Sequence, residues 1–303
     1  MNADERRWIG AIAGAMAAVA MACAFATAAR AATEIPPGKW SFVFTDKKGQ
    51  PDRPIRVYTY RPRGCDTTCP IQFVMHGKQR KASVYRDQWE LLADRFGLLI
   101  VAPEFSEKDW PGSEAYNLGD VDNQSNREKW SYSVVEHLFD EVRDGHKDYN
   151  IFGHSAGAQF VQRMTILLPE NRILVAAVAN AGWYLMPEWR GDKIATKYPY
   201  SLVGAKVAGE AVLRTALAKR VVVVLGEADI DPAHPDLNNS DGAKKQGANR
   251  VERGESFFIA ATGAARDLNV KLGWELVLVP NVAHDSTKMG RAAAIEMYRG
   301  TGK

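Results

Sequence analysis

The sequence lacks several patterns that would point to other classes of protein. It has no run of Lys and Arg with interleaved aromatics and a net charge of only +3, so nothing supports nucleic-acid binding. No histidine pair has the spacing of a zinc protease. The acidic stretch that begins at Asp120 lacks the glycine and the glutamate of a calcium loop, because Ser125 and Ser131 stand there. We therefore expect neither a metal nor another cofactor.

Leucine and charged residues are absent from the first apolar stretch, residues 8–29, which is mostly Ala, Gly and Met. Arg6 and Arg7 precede this stretch, and a small-x-small sequence ends at Ala31, so the pattern predicts a signal peptide over residues 1–31. A stretch without leucine is only weakly hydrophobic, which favours cleavage over an uncleaved membrane anchor. We expect a secreted or periplasmic protein without a stable membrane span after cleavage, and twin-arginine export stays open.

Cysteine is scarce as well, with three in 303 residues. Cys23 lies in the predicted signal peptide, which leaves Cys65 and Cys69 in the mature chain. In an exported protein a lone close pair predicts a disulfide that closes a short loop. Two free thiols are the alternative.

In the predicted mature chain, residues 32–303, the hydrophobicity pattern changes once along the sequence. Residues 40–45 and 55–60 look like half-buried strands, and short apolar runs then alternate with helical stretches. The apolar runs cover residues 71–75, 98–102, 150–152, 173–179, 221–225 and 274–279. The helical stretches cover residues 84–96, 131–142, 156–168, 210–219, 253–268 and 286–297. Such alternation, without repeats or a low-complexity linker, predicts one α/β domain whose eight-stranded, mostly parallel sheet carries helices on both faces.

One motif points to chemistry. Gly153-His154-Ser155-Ala156-Gly157 has the form G-x-S-x-G, and it joins an apolar strand to a helix, which is the context of a nucleophile elbow. The turn is tight enough to need residues without side chains at both flanks, Gly153 and Gly157. It lifts the Ser155 hydroxyl clear of the backbone at a helix N-terminus, where developing negative charge is favoured. Ser155 is therefore the predicted nucleophile, and an incidental serine in a turn is the alternative.

The strand order, the elbow, the His76-Gly77 pair and the Ala283-His284-Asp285-Ser286 sequence together resemble the α/β-hydrolase superfamily. Within it these motifs are similar to those of secreted esterases, namely polyhydroxybutyrate depolymerases, feruloyl esterases and poly(aspartic acid) hydrolases. The resemblance implies hydrolysis of a carboxylic ester, small or polymeric, through an acyl-enzyme on Ser155. An amidase or peptidase acting on a polyamide such as poly(aspartic acid) uses the same residues, and a non-catalytic binding protein can keep the fold, so both alternatives stay open.

The resemblance also implies which residues would activate Ser155. Of the six histidines, only His284 follows the last predicted strand, and in this fold that loop carries the base. The acid is expected after the preceding strand, where Asp229 has the spacing of the family. Asp231 remains a second candidate and Glu227 a third.

The oxyanion needs two N–H donors, and the resemblance implies Ala156 and Lys78. The Lys78 donor follows from the His76-Gly77 pair, in which His76 is expected to brace the loop. Trp183 and Tyr184 are candidate pocket residues, with ordinary core packing as the alternative.

Cations near the predicted nucleophile suggest a substrate class. The sequence Lys78-Gln79-Arg80-Lys81 continues the oxyanion loop, and Arg163 lies two helical turns beyond Ser155. Cations around a site raise the local concentration of anionic substrates, and salt screens this effect. We therefore predict a preference for substrates that carry a carboxylate, with solvated loop charges as the alternative.

Overall fold

A computed structural model of the chain describes residues 33–191, 196–207 and 209–300. The predicted signal peptide, residues 1–31, lies outside these ranges. No helix within them is long and apolar enough to cross a membrane.

The described strands form one eight-stranded sheet in the order β1-β2-β4-β3-β5-β6-β7-β8. They are β1 (Gly38–Phe44), β2 (Ile55–Arg61), β3 (Ile71–Met75), β4 (Leu99–Glu104), β5 (Tyr149–His154), β6 (Ile173–Ala179), β7 (Arg220–Gly226) and β8 (Trp274–Val279). Only β2 runs antiparallel to its neighbours, β1 and β4, and the strands from β4 to β8 are parallel to one another. The predicted mostly parallel sheet is confirmed.

The described helices cover both faces of this sheet. They are α1 (Ala82–Gln88), α2 (Glu90–Phe96), α3 (Gly112–Ala115), α4 (Ser131–Val142), α5 (Ala156–Leu167), α6 (Gly209–Ala218), α7 (Asp241–Lys244), α8 (Arg250–Asp267) and α9 (Ser286–Met297), with a 3₁₀ turn at Arg127–Lys129. Strand β7 shows why a helix layer is needed on each face of the sheet. Val221, Val223 and Leu225 belong to one apolar cluster, whereas Val222 and Val224 belong to a second cluster. A strand buried on both faces reads as a continuous apolar run, which is the pattern seen in the sequence.

Two helix predictions need correction. The helix predicted at residues 84–96 is two helices, because the chain turns at Trp89, whose buried indole packs on Phe152 with ring centroids 5.0 Å apart. The helix predicted to begin at residue 253 begins at Arg250, because the Asn249 side chain caps it by accepting a hydrogen bond from the Glu252 N–H at 3.0 Å.

Cys65 and Cys69 form a disulfide, as predicted, with their Cα atoms 5.6 Å apart. The bridge closes the short loop that leads into β3. Strand β3 carries the oxyanion-loop candidates at its carboxyl end, so the bridge lies at the opposite end of that strand from the candidate site.

A partly buried ion-pair cluster joins the β1–β2 loop to α4. His137 Nδ1 contacts Asp46 Oδ1 and its Nε2 contacts Glu128 Oε2, both at 2.8 Å. Burial by itself lowers the pKa of His137, but hydrogen bonds and attraction from Asp46 and Glu128 outweigh it, so the pKa is raised above its usual value. Burial raises the pKa of Asp46, and the His137 contact outweighs that effect and lowers it overall.

His137→Gln is expected to destabilise the fold most in mildly acidic solution. The raised pKa of His137 means that its charged form stabilises the fold below about pH 6.5 and that this contribution disappears as the pH rises. The Asp46 contribution is present above about pH 4 and is lost in stronger acid. We expect the variant to lose about 1–3 kcal/mol near pH 5.5 and less at pH 9, measured by urea unfolding. His146→Gln, which removes only a contact with the Thr67 carbonyl, is the control and should lose less stability near pH 5.5.

Candidate active site

The turn between β5 and α5 has the geometry of a nucleophile elbow. Ser155 has φ 59° and ψ −118°, a conformation that non-glycine residues rarely adopt. A Cβ on Gly153 would lie 2.2 Å from the Gly157 carbonyl oxygen, and a Cβ on Gly157 would lie 2.2 Å from the Met75 carbonyl oxygen. Both flanks therefore require glycine, for the reason that the sequence indicated.

The surrounding backbone holds Ser155 in this strained conformation. Its N–H donates to the Ala179 carbonyl at the end of β6 at 3.0 Å, and its carbonyl accepts from the Gln159 N–H in α5 at 3.1 Å. Its hydroxyl makes no hydrogen bond to any residue that the structure describes and is half-buried at the start of α5. Strain of this kind persists only where neighbouring structure imposes it, and it is concentrated at functional sites.

His284 and Asp229 meet at the same edge of the sheet as Ser155. Asp229 Oδ2 lies 2.7 Å from His284 Nδ1, and Asp229 is 3% exposed while the His284 side chain is half-buried. The other carboxylate oxygen of Asp229 accepts a hydrogen bond from Arg250 at 3.1 Å. Burial raises the pKa of Asp229, but the contacts with His284 and Arg250 outweigh it and lower the pKa overall. Asp229 is thus held as a carboxylate against the imidazole.

The other two candidate acids lie elsewhere. Asp231 is exposed, and its Oδ1 accepts a hydrogen bond from the Ala233 N–H two residues later at 2.9 Å, which is the contact of a turn aspartate. Glu227 is also exposed. Only Asp229 contacts His284 among the three, in agreement with its spacing in the sequence.

The loops that carry the acid and the base are tied together. A Cβ on Gly226 would lie 2.4 Å from the Val282 carbonyl oxygen, and the Ala228 N–H donates to the same oxygen at 2.9 Å. Asn180, at the end of β6, bridges both loops: its Oδ1 accepts from the Gly226 N–H at 2.9 Å and its Nδ2 donates to the Ala283 carbonyl at 3.1 Å. Asn180 was not among the predicted site residues, and its only signal in the sequence is its position as a polar residue directly after a buried strand.

The loop after β3 approaches Ser155 from the other side. A Cβ on Gly77 would lie 3.8 Å from Ser155 Cβ, so the loop backbone lies beside the candidate nucleophile. Neither the Lys78 N–H nor the Ala156 N–H donates a hydrogen bond within the described part of the chain. Both predicted donors therefore remain available to an oxyanion, which is what such a site requires.

His76 braces this loop. Its Nε2 accepts from the Phe105 N–H at 3.1 Å, and its Nδ1 donates to the Gly77 carbonyl at 2.9 Å. The Tyr116 hydroxyl donates to the His76 carbonyl at 2.7 Å, a contact that the sequence analysis missed. Full burial lowers the pKa of His76 to about 3, so the ring is neutral and keeps both roles at ordinary pH.

A second imidazole packs against His284. The buried ring of His154 lies 4.4 Å from that of His284, and its Nδ1 is 3.2 Å from the Tyr85 hydroxyl. Burial, followed by repulsion from His284 and Arg250, holds the pKa of His154 well below its usual value. A neutral ring therefore forms one wall of the site.

Three residues considered from the sequence have structural roles instead. Tyr184 is fully buried and stacks on Phe257 with centroids 4.5 Å apart, which is the core packing that the sequence left open as the alternative to a pocket role. Arg163 is also fully buried; its guanidinium lies 4.2 Å from the centre of the Trp183 ring. Arg80 donates to the carbonyls of neighbouring loops and is 10% exposed.

The remaining predicted residues are Trp183 and Lys78. Trp183 is 6% exposed and packs between Arg163 and Tyr200, so its pocket role stays a prediction. The Lys78 ammonium is exposed and pairs with Asp236, which belongs to the loop that carries Asp229. Lys81 is exposed as well.

An eight-stranded, mostly parallel sheet whose central strand leads into such an elbow defines an α/β-hydrolase. Solved structures place the chain more narrowly. Poly(aspartic acid) hydrolase-1 from Sphingomonas sp. KT-1 is 39% identical, with a TM-score of 0.80 over 86% of this chain and 98% of that protein. A poly(3-hydroxybutyrate) depolymerase from Bordetella parapertussis is 32% identical, with a TM-score of 0.81 over 88% of this chain and 92% of its own.

The chain belongs to the α/β-hydrolase family of esterases and depolymerases, and it is a hydrolase. An S-formylglutathione hydrolase from Agrobacterium tumefaciens shares the fold at 14% identity, with a TM-score of 0.55 over 87% of this chain and 95% of that protein. No family model matches the chain, and no curated protein sequence matches it either.

Proposed function

We propose that the chain is a secreted serine hydrolase that cleaves carboxylic esters through an acyl-enzyme on Ser155. The observation that carries this proposal is the contact of 2.7 Å between His284 and buried Asp229, at the edge of the sheet where the Ser155 elbow lies. The signal-like pattern of residues 1–31 and the disulfide between Cys65 and Cys69 support export.

The proposed reaction has two halves. His284 Nε2 takes the proton of Ser155, whose Oγ attacks the ester carbonyl to give a tetrahedral oxyanion. The N–H groups of Ala156 and Lys78 donate to this oxygen, and Asp229 stabilises the imidazolium. The leaving alcohol takes the proton from His284, and water then attacks the acyl-enzyme by the same steps to release the acid and Ser155.

A specific observation favours a second candidate, hydrolysis of an anionic polyamide. The chain shares 39% identity with a protein named as a poly(aspartic acid) hydrolase and 32% with one named as a poly(3-hydroxybutyrate) depolymerase. Ester and amide cleavage use the same nucleophile, base and oxyanion donors, so the site geometry is compatible with both.

A single screen separates these candidates. The purified protein is assayed on 4-nitrophenyl esters of graded chain length, on poly(3-hydroxybutyrate) and on poly(aspartic acid). Turnover of the esters and polyester without cleavage of poly(aspartic acid) supports the ester hydrolase, and release of aspartate oligomers supports the polyamide hydrolase. Turnover of none of these substrates, with no fluorophosphonate labelling of Ser155, would contradict both.

Lys78→Met is expected to reduce selectively the hydrolysis of anionic esters. The substitution keeps the backbone N–H but removes the exposed ammonium beside the oxyanion loop. An exposed ion pair contributes at most about 1 kcal/mol, so kcat/KM for an anionic ester should fall about twofold to fivefold. The measurement compares the 4-nitrophenyl monoester of glutaric acid with the 4-nitrophenyl ester of valeric acid, at low and high salt.

Lys81→Met, three residues further on, provides the control for a general change in charge. The wild-type advantage of the anionic ester should shrink as salt increases. Equal effects of Lys78→Met on both esters, or no dependence on salt, would show that Lys78 has no role in substrate choice.

A further inference from the structure

Arg250 is a buried cation in direct contact with the candidate triad. It is the first residue of α8, and its side chain is 1% exposed. One of its terminal nitrogens donates to Asp229 Oδ1 at 3.1 Å, and the other lies 3.3 Å from His234 Nδ1. The half-buried His234 ring packs against the ring of His284, with centroids 5.7 Å apart.

Burying a guanidinium is costly unless it is paired, so the placement of Arg250 has to be explained. The two oxygens of Asp229 are divided between partners, with Oδ1 bound to Arg250 and Oδ2 bound to His284. Two partners on two oxygens fix the plane of a carboxylate, whereas one partner leaves it free to rotate. Oδ2 is thereby directed at the imidazole Nδ1.

The titratable groups around Asp229 lie on several parts of the fold, and the buried Tyr184 after β6 is one of them. Arg250 lies on α8, His284 on the loop after β8, His234 on the loop after Asp229, and His154 behind His284 at the end of β5. Arg250 and His284 both lower the pKa of Asp229. Because Asp229 is almost fully buried, the loss of one of these two partners has a larger effect than at the surface.

We propose that Arg250 is a positioning residue of the triad, which holds Asp229 ionised and oriented toward His284. The second terminal nitrogen of the same guanidinium lies beside His234 Nδ1, which also accepts from the Asp236 N–H at 3.1 Å, and the loop that carries these residues is thereby held against α8. This inference rests on the proposed function, because it needs Asp229 to be the triad acid.

Arg250→Met tests it, since methionine fills similar space without charge. The variant should lower kcat on 4-nitrophenyl butyrate about tenfold to a hundredfold, the loss of a hydrogen bond to a charged group, with KM little changed. The acid limb of its pH–rate profile should move to higher pH, because removing the buried positive charge beside the Asp229–His284 pair makes protonation of that pair easier. Arg250→Lys should keep the wild-type acid limb, because the positive charge remains. Its kcat should fall, because a single ammonium does not reproduce the contacts of the two guanidinium nitrogens with Asp229 and His234.

Arg253→Met is the matched control. Arg253 is equally buried on the same helix, but it donates to the carbonyls of Gly247 and Gly182 instead of to the triad. It should lower the melting temperature without moving the acid limb. A wild-type acid limb and kcat in Arg250→Met, or the same shift in Arg253→Met, would overturn the inference.

Two further outcomes keep the tests separate. If Arg250→Met does not fold, Arg250→Lys still decides, because an unchanged kcat in that variant contradicts a positioning role. If Ser155→Ala or Asp229→Asn retains full turnover, the proposed function itself fails, whatever Arg250 does.

Discussion

Replacing Ser155 with alanine is expected to abolish ester hydrolysis while the chain keeps its fold. Loss of the nucleophile should lower kcat by a factor of about 10⁶, as in serine proteases with the same three residues. The fold should be unaffected because the Ser155 hydroxyl forms no hydrogen bond to the described residues, and alanine bears the same backbone strain at φ 59° as serine does. Turnover of 4-nitrophenyl butyrate and the melting temperature measure the two expectations.

Intact-mass analysis after treatment with a fluorophosphonate identifies the nucleophile independently of the substrate. The wild type should gain one adduct and Ser155→Ala none. Ser113→Ala, an exposed serine on α3, is the control and should label and turn over like the wild type. Full labelling of Ser155→Ala would show that another residue is the nucleophile.

Asp229→Asn should lower kcat by a factor of about 10⁴, the loss expected when an amide holds the base in the wrong tautomer. The structure adds a reason. A carboxylate has two acceptor oxygens, one for His284 at 2.7 Å and one for Arg250 at 3.1 Å, whereas an amide has only one. The variant leaves the guanidinium of Arg250 buried without its counter-charge, so some loss of thermal stability should accompany the loss of rate.

Asp231→Asn is the control for this variant, since Asp231 is exposed and caps only the Ala233 N–H. Its kcat should stay close to that of the wild type. If Asp231→Asn lost activity and Asp229→Asn did not, the acid would be Asp231 and the geometry around His284 would need another explanation.

The elbow could be predicted because all its determinants are local. Gly153, Ser155 and Gly157 lie within five residues, and the strand before them and the helix after them show ordinary periodicity. His284 and Asp229 could be predicted from their positions after the last two strands, since parallel strands bring their carboxyl ends to one edge of the sheet. The structure brings the side chains of His284 and Asp229 together across 55 residues of sequence.

Contacts between distant segments decide where Tyr184, Arg80 and Arg163 lie. Tyr184 follows a strand like a pocket residue, but Phe257 in α8 covers its ring. Arg80 and Arg163 look like site cations, but neighbouring loops accept their hydrogen bonds and bury them. An aromatic or charged side chain after a strand has the same local sequence pattern whether other segments bury it or leave it exposed in a pocket. Sequence periodicity therefore does not distinguish a core residue from a pocket residue.

The sequence by itself determined where the strands and helices lie along the chain, the elbow and the residue types of the candidate triad, because periodicity, glycine requirements and chain position are local properties. Only the tertiary structure decided that Asp229 and not Asp231 contacts His284, that Asn180 ties the acid and base loops, and that Arg250 lies buried against Asp229. These contacts form only when several strands and α8 are packed together. Their energies come from burial and from charge at short distance, which depend on the whole fold and not on any one segment.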